Sequence, residues 1–199
     1  MKQITFYLDF ISPYSHLAFE QLPEALMGLS YSVTYRPVLL GAMLRHHQLL
    51  GPAEVPAKRA WTYRHVQWLA HAHDVRLQMP AVHPFAPLPL LRLAIACANG
   101  GDPNRYVCET LLHHVWHGGH DAVDPARLQA LQEKLAPALA VDDPRVKERL
   151  RANTDEAIAA GAFGVPTFVV DGQLFWGFDS LPMLRACLEG ERGVGTPPA

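Results

Sequence analysis

The sequence predicts an α/β protein in two separated halves, βαβ at the start and ββα at the end, with a long helical stretch between them. Three observations carry this. Ile4, Phe6 and Leu8 alternate with Thr5, Tyr7 and Asp9, so residues 3–10 read as a strand, and Tyr31, Val33 and Tyr35 alternate in the same way up to Pro37. Between these strands, Ser12-Pro13 offers an N-cap followed by a first-turn proline, and Tyr14, Leu17, Ala18 and Leu22 follow at helical spacing. Near the other end, the β-branched and aromatic run 167–170 meets Asp171-Gly172, a two-residue hairpin signal, and residues 173–176 supply the return strand.

The remaining elements follow in order. Pro23 should kink or end the first helix, with Gly28 closing its second piece. Residues 42–160 read as helices. Lys58 begins one that carries Trp61, His65, Trp68, Leu69 and Ala72 on one side. Pro80 to Pro89 is a proline-rich connection, and Leu90 to Ala98 is too apolar for a surface helix. Asp102-Pro103, Asp124-Pro125 and Asp143-Pro144 each resemble an N-cap followed by a first-position proline. Leu181, Leu184 and Leu188 mark a last helix that Gly190 can end, with Asp179 as a candidate cap.

Composition narrows the function classes. The 199 residues are 49% hydrophobic, enough for a sizeable core, and the net charge of −2 leaves no basic footprint for nucleic acid. No apolar run is long enough for a membrane span. The first ten residues alternate and lack the apolar block of a signal peptide, and the terminal Thr196-Pro197-Pro198-Ala199 matches no targeting signal. Cys97, Cys108 and Cys187 are scattered, form no CxxC, and suit a reducing, cytoplasmic setting. His113 and His117 share a helix face, but no carboxylate stands between them as in HExxH, and Gly118-Gly119 follows. That pattern favours a polar helix end, and no metal is expected.

The split βαβ…ββα order, with Pro166 at the mouth of the third strand, describes a thioredoxin-like fold with a large all-helical insertion. The expected division is 1–41 with 161–199 for the thioredoxin-like unit and 42–160 for the insertion. In that fold the reactive group lies at the start of the first helix, facing the proline loop. Here that place belongs to Ser12. A cis bond at Val165-Pro166 would turn main-chain groups of Val165 outward as a short edge for a peptide-like ligand.

Two motifs match a family. Asp9-Phe10-Ile11-Ser12-Pro13-Tyr14-Ser15 with Leu17-Ala18 resembles the N-terminal signature of 2-hydroxychromene-2-carboxylate isomerases, which are close to kappa-class glutathione transferases and related to DsbA-like proteins. Ala152-Asn153-Thr154, then 161–168 and Phe175-Trp176-Gly177-Phe178-Asp179, resemble the C-terminal signature, whereas the middle is similar mainly around Pro56-Ala57-Lys58. The resemblance implies glutathione as cofactor, Ser12 as the catalytic group that stabilises its thiolate, and Val165 before Pro166 as the main chain that pairs with its cysteinyl part. It further implies that Asp179 holds the γ-glutamyl amino group and that Lys58 faces the tripeptide. A small-molecule substrate and a homodimer belong to the same set of expectations. The chain departs from the family at Gln48-Leu49-Leu50-Gly51-Pro52, at Phe178 and Ser180, and at Trp61, His65 and Trp68 on the Lys58 helix.

The chemistry expected of these residues is thiolate chemistry without a protein thiol. A cysteine thiol has a reference pKa of about 8.5, and a hydroxyl donor and a helix N-terminus both favour its anion. Ser12 cannot form a disulfide, and Ser15 supplies no second thiol, so disulfide exchange is excluded. The reading is a glutathione-dependent isomerase acting by reversible thiolate addition. A kappa-like transferase and a non-catalytic binding module are the alternatives. Trp61, His65 and Trp68 read as packing, with an aromatic wall for a flat aryl substrate as the other option. Tyr7, Asp9 and His65 are proton-handling candidates by chemical type.

Overall fold

A computed structural model describes residues 1–191; the Thr196–Ala199 end lies outside them. The sheet has the order β2-β1-β3-β4. Strand β1 (Lys2–Leu8) runs parallel to β2 (Tyr31–Pro37) and antiparallel to β3 (Thr167–Val170), which pairs antiparallel with β4 (Gln173–Trp176). Asp171 (φ 49°) and Gly172 (φ 78°) make the tight turn expected between β3 and β4. Among the described residues the helices are α1 (Pro13–Ala25), α2 (Leu40–His46), α3 (Pro56–Ala72), α4 (Leu88–Cys97), α5 (Arg105–Trp116), α6 (Pro125–Leu135), α7 (Pro144–Ala159) and α8 (Leu181–Glu189). Every helix from α2 to α7 falls between β2 and β3, and no strand lies among them.

Alternation in β1 sends side chains to both sheet faces. Ile4, Phe6 and Leu8 are fully buried, and Phe6 packs 4.4 Å from Phe168 and 5.9 Å from Tyr35, ring centre to ring centre. Leu17, Phe19 and Leu22 of α1 and the apolar α4 extend this larger core. Tyr7 faces the other way, into a smaller cluster with Val38, Met43, Ala157, Ala162 and Val165. The Asn153-Thr154 pair latches α7 onto the end of β2: Asn153 Nδ2 donates to the Pro37 carbonyl at 3.1 Å, and Thr154 Oγ1 accepts from Leu39 N at 3.1 Å.

Helix α1 continues through Pro23, rather than ending there, to Ala25, with Leu22 and Leu26 buried on either side of the proline, and Gly28 (φ 86°) follows. Two sequence expectations are corrected. Asp102 is not a cap; Asn104 caps α5, and Asp102 instead pairs with Arg149 (2.8 Å) and Arg36 (3.7 Å). Asp179 does not cap α8 either, because a single 3-10 turn (Phe178–Ser180) intervenes and makes Ser180 the preceding residue. Asp124 and Asp143 do cap their helices as expected.

The β1–α1 loop is braced from the insertion. Trp116, fully buried in α5, donates Nε1–H to the Phe10 carbonyl at 3.1 Å. His83 donates Nε2–H to the Ile11 carbonyl at 2.8 Å, and Tyr63 of α3 holds the other face of that imidazole at 2.7 Å from Nδ1. Trp116→Phe keeps most of the apolar volume but strands the Phe10 carbonyl. The expected loss is about 1–3 kcal/mol, the cost of an unpaired buried acceptor. A urea melt showing a change within experimental error would refute the brace.

Candidate active site

The site lies where two strand ends meet. Tyr7 pairs with Thr167 in the antiparallel ladder. Continuing that register by two residues sets Val165 across from Asp9, at the same sheet end as the start of α1. The structure thus brings the start of α1, where Ser12 N donates to the Asp9 carbonyl at 3.1 Å, and the Val165–Pro166 loop to one end of the central strands. The Val165–Pro166 bond is cis, as is His83–Pro84. The Pro166 carbonyl accepts from Gly177 N at 2.9 Å and Thr167 Oγ1 donates to the Gly164 carbonyl at 2.8 Å, which fix the loop on both sides. Between them, the N–H and C=O of Val165 make no hydrogen bond among the described residues, although the residue is only 8% exposed. Backbone groups so placed need a partner.

Ser12 caps α1 and is buried, at 5% exposed. Its Oγ accepts from Ser15 N at 3.2 Å. That bond uses a lone pair, so the hydroxyl proton is still free to be donated. The two readings of Ser12, helix cap and thiolate donor, are therefore compatible in one side chain. No protein thiol competes with it. Burial pushes Cys97 up to about 11 and raises Cys108 further, and the three cysteines are free.

Asp179 is exposed and takes no hydrogen bond among the described residues. Gly177, at φ 93°, is what lets it sit there: a Cβ on Gly177 would collide with the Asp179 carboxylate. Lys58 is exposed on the first turn of α3 and forms no ion pair among the described residues. Clefts of about 510 Å³ (Leu22, Tyr31, Arg105) and about 460 Å³ (Tyr106, His114, Arg127) lie elsewhere and touch neither Ser12 nor Val165. Chemistry rather than cleft size marks this edge.

The Lys58 helix is turned differently from expectation. Val66, Leu69 and Ala70 form its buried side, whereas Trp61 and Trp68 are 57% and 63% exposed. His65 stands between those two rings, with plane angles of 16° and 11°. Its Nδ1 lies 2.9 Å from the hydroxyl of Tyr14. Tyr14 looked like part of the apolar face of α1; the hint otherwise was a phenol in the first turn, two residues beyond Ser12.

Two buried ionisable groups lie beneath the edge. Asp9, fully buried, accepts from Leu40 N (2.9 Å) and Ile11 N (3.2 Å), so it joins β1, α1 and α2 rather than facing a ligand. Burial pushes its carboxyl up to about 7 against the pull of those N–H groups. His16 donates Nε2–H to the Arg76 carbonyl at 2.8 Å, and burial lowers it to about 4. Its neighbours are His117, His113 and Glu20, and His113 pairs with Glu20 at 2.8 Å. The polar end expected of α5 is thus tied to α1.

These shifts act in opposite directions. Asp9 is raised, so its contribution is fully present below the unfolded pKa of about 3.9 and is lost as pH rises through about 7. His16 is lowered, so its contribution is present above about 6.5 and is lost as pH falls toward about 4. Relative to wild type, the melting temperature of Asp9→Asn should improve as pH rises from 4 to 7, and that of His16→Gln as pH falls over the same range. Each slope is at most about 1.4 kcal/mol per pH unit. Two flat difference curves would show that neither burial matters.

Comparison with known proteins agrees with this architecture. A family model described as the DSBA-like thioredoxin domain matches residues 3–189. A 2-hydroxychromene-2-carboxylate isomerase of Sphingobium xenophagum is 30% identical over 195 residues, covering 94% of this chain and 98% of the relative. Glutathione S-transferase kappa 1 of Rattus norvegicus is 27% identical over 214 residues, with 99% and 95% covered. A solved 2-hydroxychromene-2-carboxylate isomerase superimposes with a TM-score of 0.79 at 22% identity, over 94% of this chain and 95% of that one. With the sheet order, the cis proline loop and these full-length matches together, the chain belongs to the DsbA-like thioredoxin-domain family, among relatives that are 2-hydroxychromene-2-carboxylate isomerases and kappa-class glutathione transferases.

Proposed function

We propose that this protein binds reduced glutathione and uses it as a catalyst to isomerise an unsaturated, aromatic-derived 2-oxo acid of the 2-hydroxychromene-2-carboxylate kind. The observation that supports the reading is that the Ser12 hydroxyl, which the fold uses only as an acceptor, and the main chain of Val165, which makes no hydrogen bond among the described residues, belong to the same end of the two central strands. A tripeptide thiol laid along Val165–Pro166 would satisfy that main chain and bring its sulfur to the start of α1. There the Ser12 hydroxyl and the helix N-terminus favour the anion. Asp179 would hold the ligand's amino end, and Lys58 would face its carboxylate side. The site lacks a thiol at Ser12 and Ser15, so it can stabilise a thiolate but cannot exchange disulfides. The full-length kappa-class relatives support a second reading, a transferase that keeps the thioether as product.

Two measurements separate these readings. A catalytic amount of glutathione should turn over a large excess of 2-hydroxychromene-2-carboxylate with free thiol constant. Thiol falling one-for-one with an electrophile would favour the transferase, and bound glutathione with no turnover of either substrate class would favour a binding module. Ser12→Ala should raise the thiol pKa of bound glutathione by about one to two units, since a hydrogen bond to a charged group is worth about 1.5–3 kcal/mol. It should also cost about 1 kcal/mol of stability through the lost cap. Loss of stability with an unchanged thiolate absorbance titration would make Ser12 a cap alone.

A further inference from the structure

We propose that the Tyr14 hydroxyl donates the proton that stabilises the enolate formed when thiolate adds to the substrate, with His65 positioning it. This role rests on the isomerase reading above. Tyr14 is two residues beyond Ser12, in the first turn of α1, and is half-buried. Its side chain reaches across to α3, where the hydroxyl meets His65 Nδ1 at 2.9 Å. Helix α1 also packs against the Phe178–Ser180 turn that carries Asp179. The helix that carries the phenol thus meets both the Lys58 helix and the Asp179 turn, the two elements assigned to the ends of the tripeptide.

The chemistry of the pair selects a donor. Burial first, and Asp179 second, hold the phenol above its usual pKa, so it keeps its proton. Of the two neutral imidazole tautomers, the one bearing Nδ1–H donates to the phenol oxygen and leaves the O–H free to point at a ligand. Trp61 and Trp68 flank His65 with nearly parallel rings, which restrict its rotation. Arg64 lies 4.7 Å over the Trp61 ring and steadies that wall.

The step balances without any other reactant. In 2-hydroxychromene-2-carboxylate the hemiketal first opens: its ring C–O bond breaks, the hemiketal hydroxyl proton passes to the substrate's own aryl oxygen, and the ketone forms. Thiolate then forms a C–S bond at the carbon β to that ketone, the C=C pair becomes the double bond between the α carbon and the carbonyl carbon, and the C=O pair moves onto the ketone oxygen. The Tyr14 proton passes to that oxygen, and the phenolate left behind is held by Nδ1–H of His65. The former double bond, now single, rotates. The proton returns to Tyr14, the double bond re-forms, and the C–S bond breaks to release thiolate. Nothing is oxidised or reduced, and no proton is gained or lost over the cycle.

The test uses Tyr14→Phe, His65→Leu and His65→Asn in the full-length protein, with 2-hydroxychromene-2-carboxylate and glutathione as probes. Removing one such donor costs about 10²–10³-fold in kcat. Tyr14→Phe should show that loss, with KM, glutathione binding by calorimetry and the bound-thiolate absorbance unchanged. His65→Leu should lose kcat comparably, and His65→Asn, which keeps an N–H near the Nδ1 position, should recover most of it. Wild-type kcat in Tyr14→Phe would overturn the role while leaving the isomerase reading intact. A kcat loss matched by loss of glutathione binding or of melting temperature would make Tyr14 a packing residue and also overturn it. Equal failure of both His65 variants would remove His65 from the proposal. Glutathione binding without isomerisation by the wild type would overturn the isomerase reading itself, and this role with it.

Discussion

The antiparallel pairing of β1 with β3 is the constraint on which the site depends. These strands come from opposite ends of the chain, and their short ladder runs from Thr5–Val169 to Tyr7–Thr167. A slip of one residue would turn Phe6 and Phe168 away from each other and put Tyr7 into the larger core. It would also move Val165 relative to the start of α1. The 4.4 Å packing of Phe6 on Phe168 is therefore a register lock as much as a core contact. Core shape and the placement of the Val165–Pro166 loop are set by the same two rings.

Around this lock the insertion works as a brace. Trp116 and His83 take the carbonyls of Phe10 and Ile11, which lie between β1 and Ser12. Asp9 takes two N–H groups at the same junction. The loop that carries Ser12 is thereby bonded from α5, from the connection before α4 and from α2. Positioning of this kind is what a preorganised donor needs, because reorganisation during the reaction is avoided. A buried carboxyl and a buried imidazole are part of the same support, and each is held away from its charged form.

The parts legible in the sequence were those encoded by neighbouring residues. Ser12-Pro13 and Asp171-Gly172 carry their geometry in two residues, and the structure uses both as expected. The alternation of Ile4, Phe6 and Leu8 marked the larger core for the same reason. Distant partners decided the rest. Asp102-Pro103 has the same local signal as Asp124-Pro125, but Arg149 and Arg36 claim the Asp102 carboxylate. The α3 face was misjudged because tryptophan usually signals burial, whereas Val66, Leu69 and Ala70 supply enough apolar surface to seat the helix without Trp61 or Trp68. The Tyr14–His65 contact spans 51 residues and has no local signature.

The latch between α7 and the end of β2 bears on how the chain is made. Leu39 and Thr154 are 115 positions apart, and β1 waits still longer for β3, since Tyr7 pairs with Thr167. During synthesis from the N-terminus, β1, α1 and β2 emerge long before the strand that completes their sheet. For that interval β1 presents an open edge rich in Ile4, Phe6 and Leu8, a template for pairing with other chains. The contacts that close the sheet are among the most non-local in the molecule, and such topologies fold slowly. The nascent chain is thus most exposed to aggregation while the insertion is being translated, and chaperone binding would act on its first forty residues, roughly the span of this unfinished half-sheet.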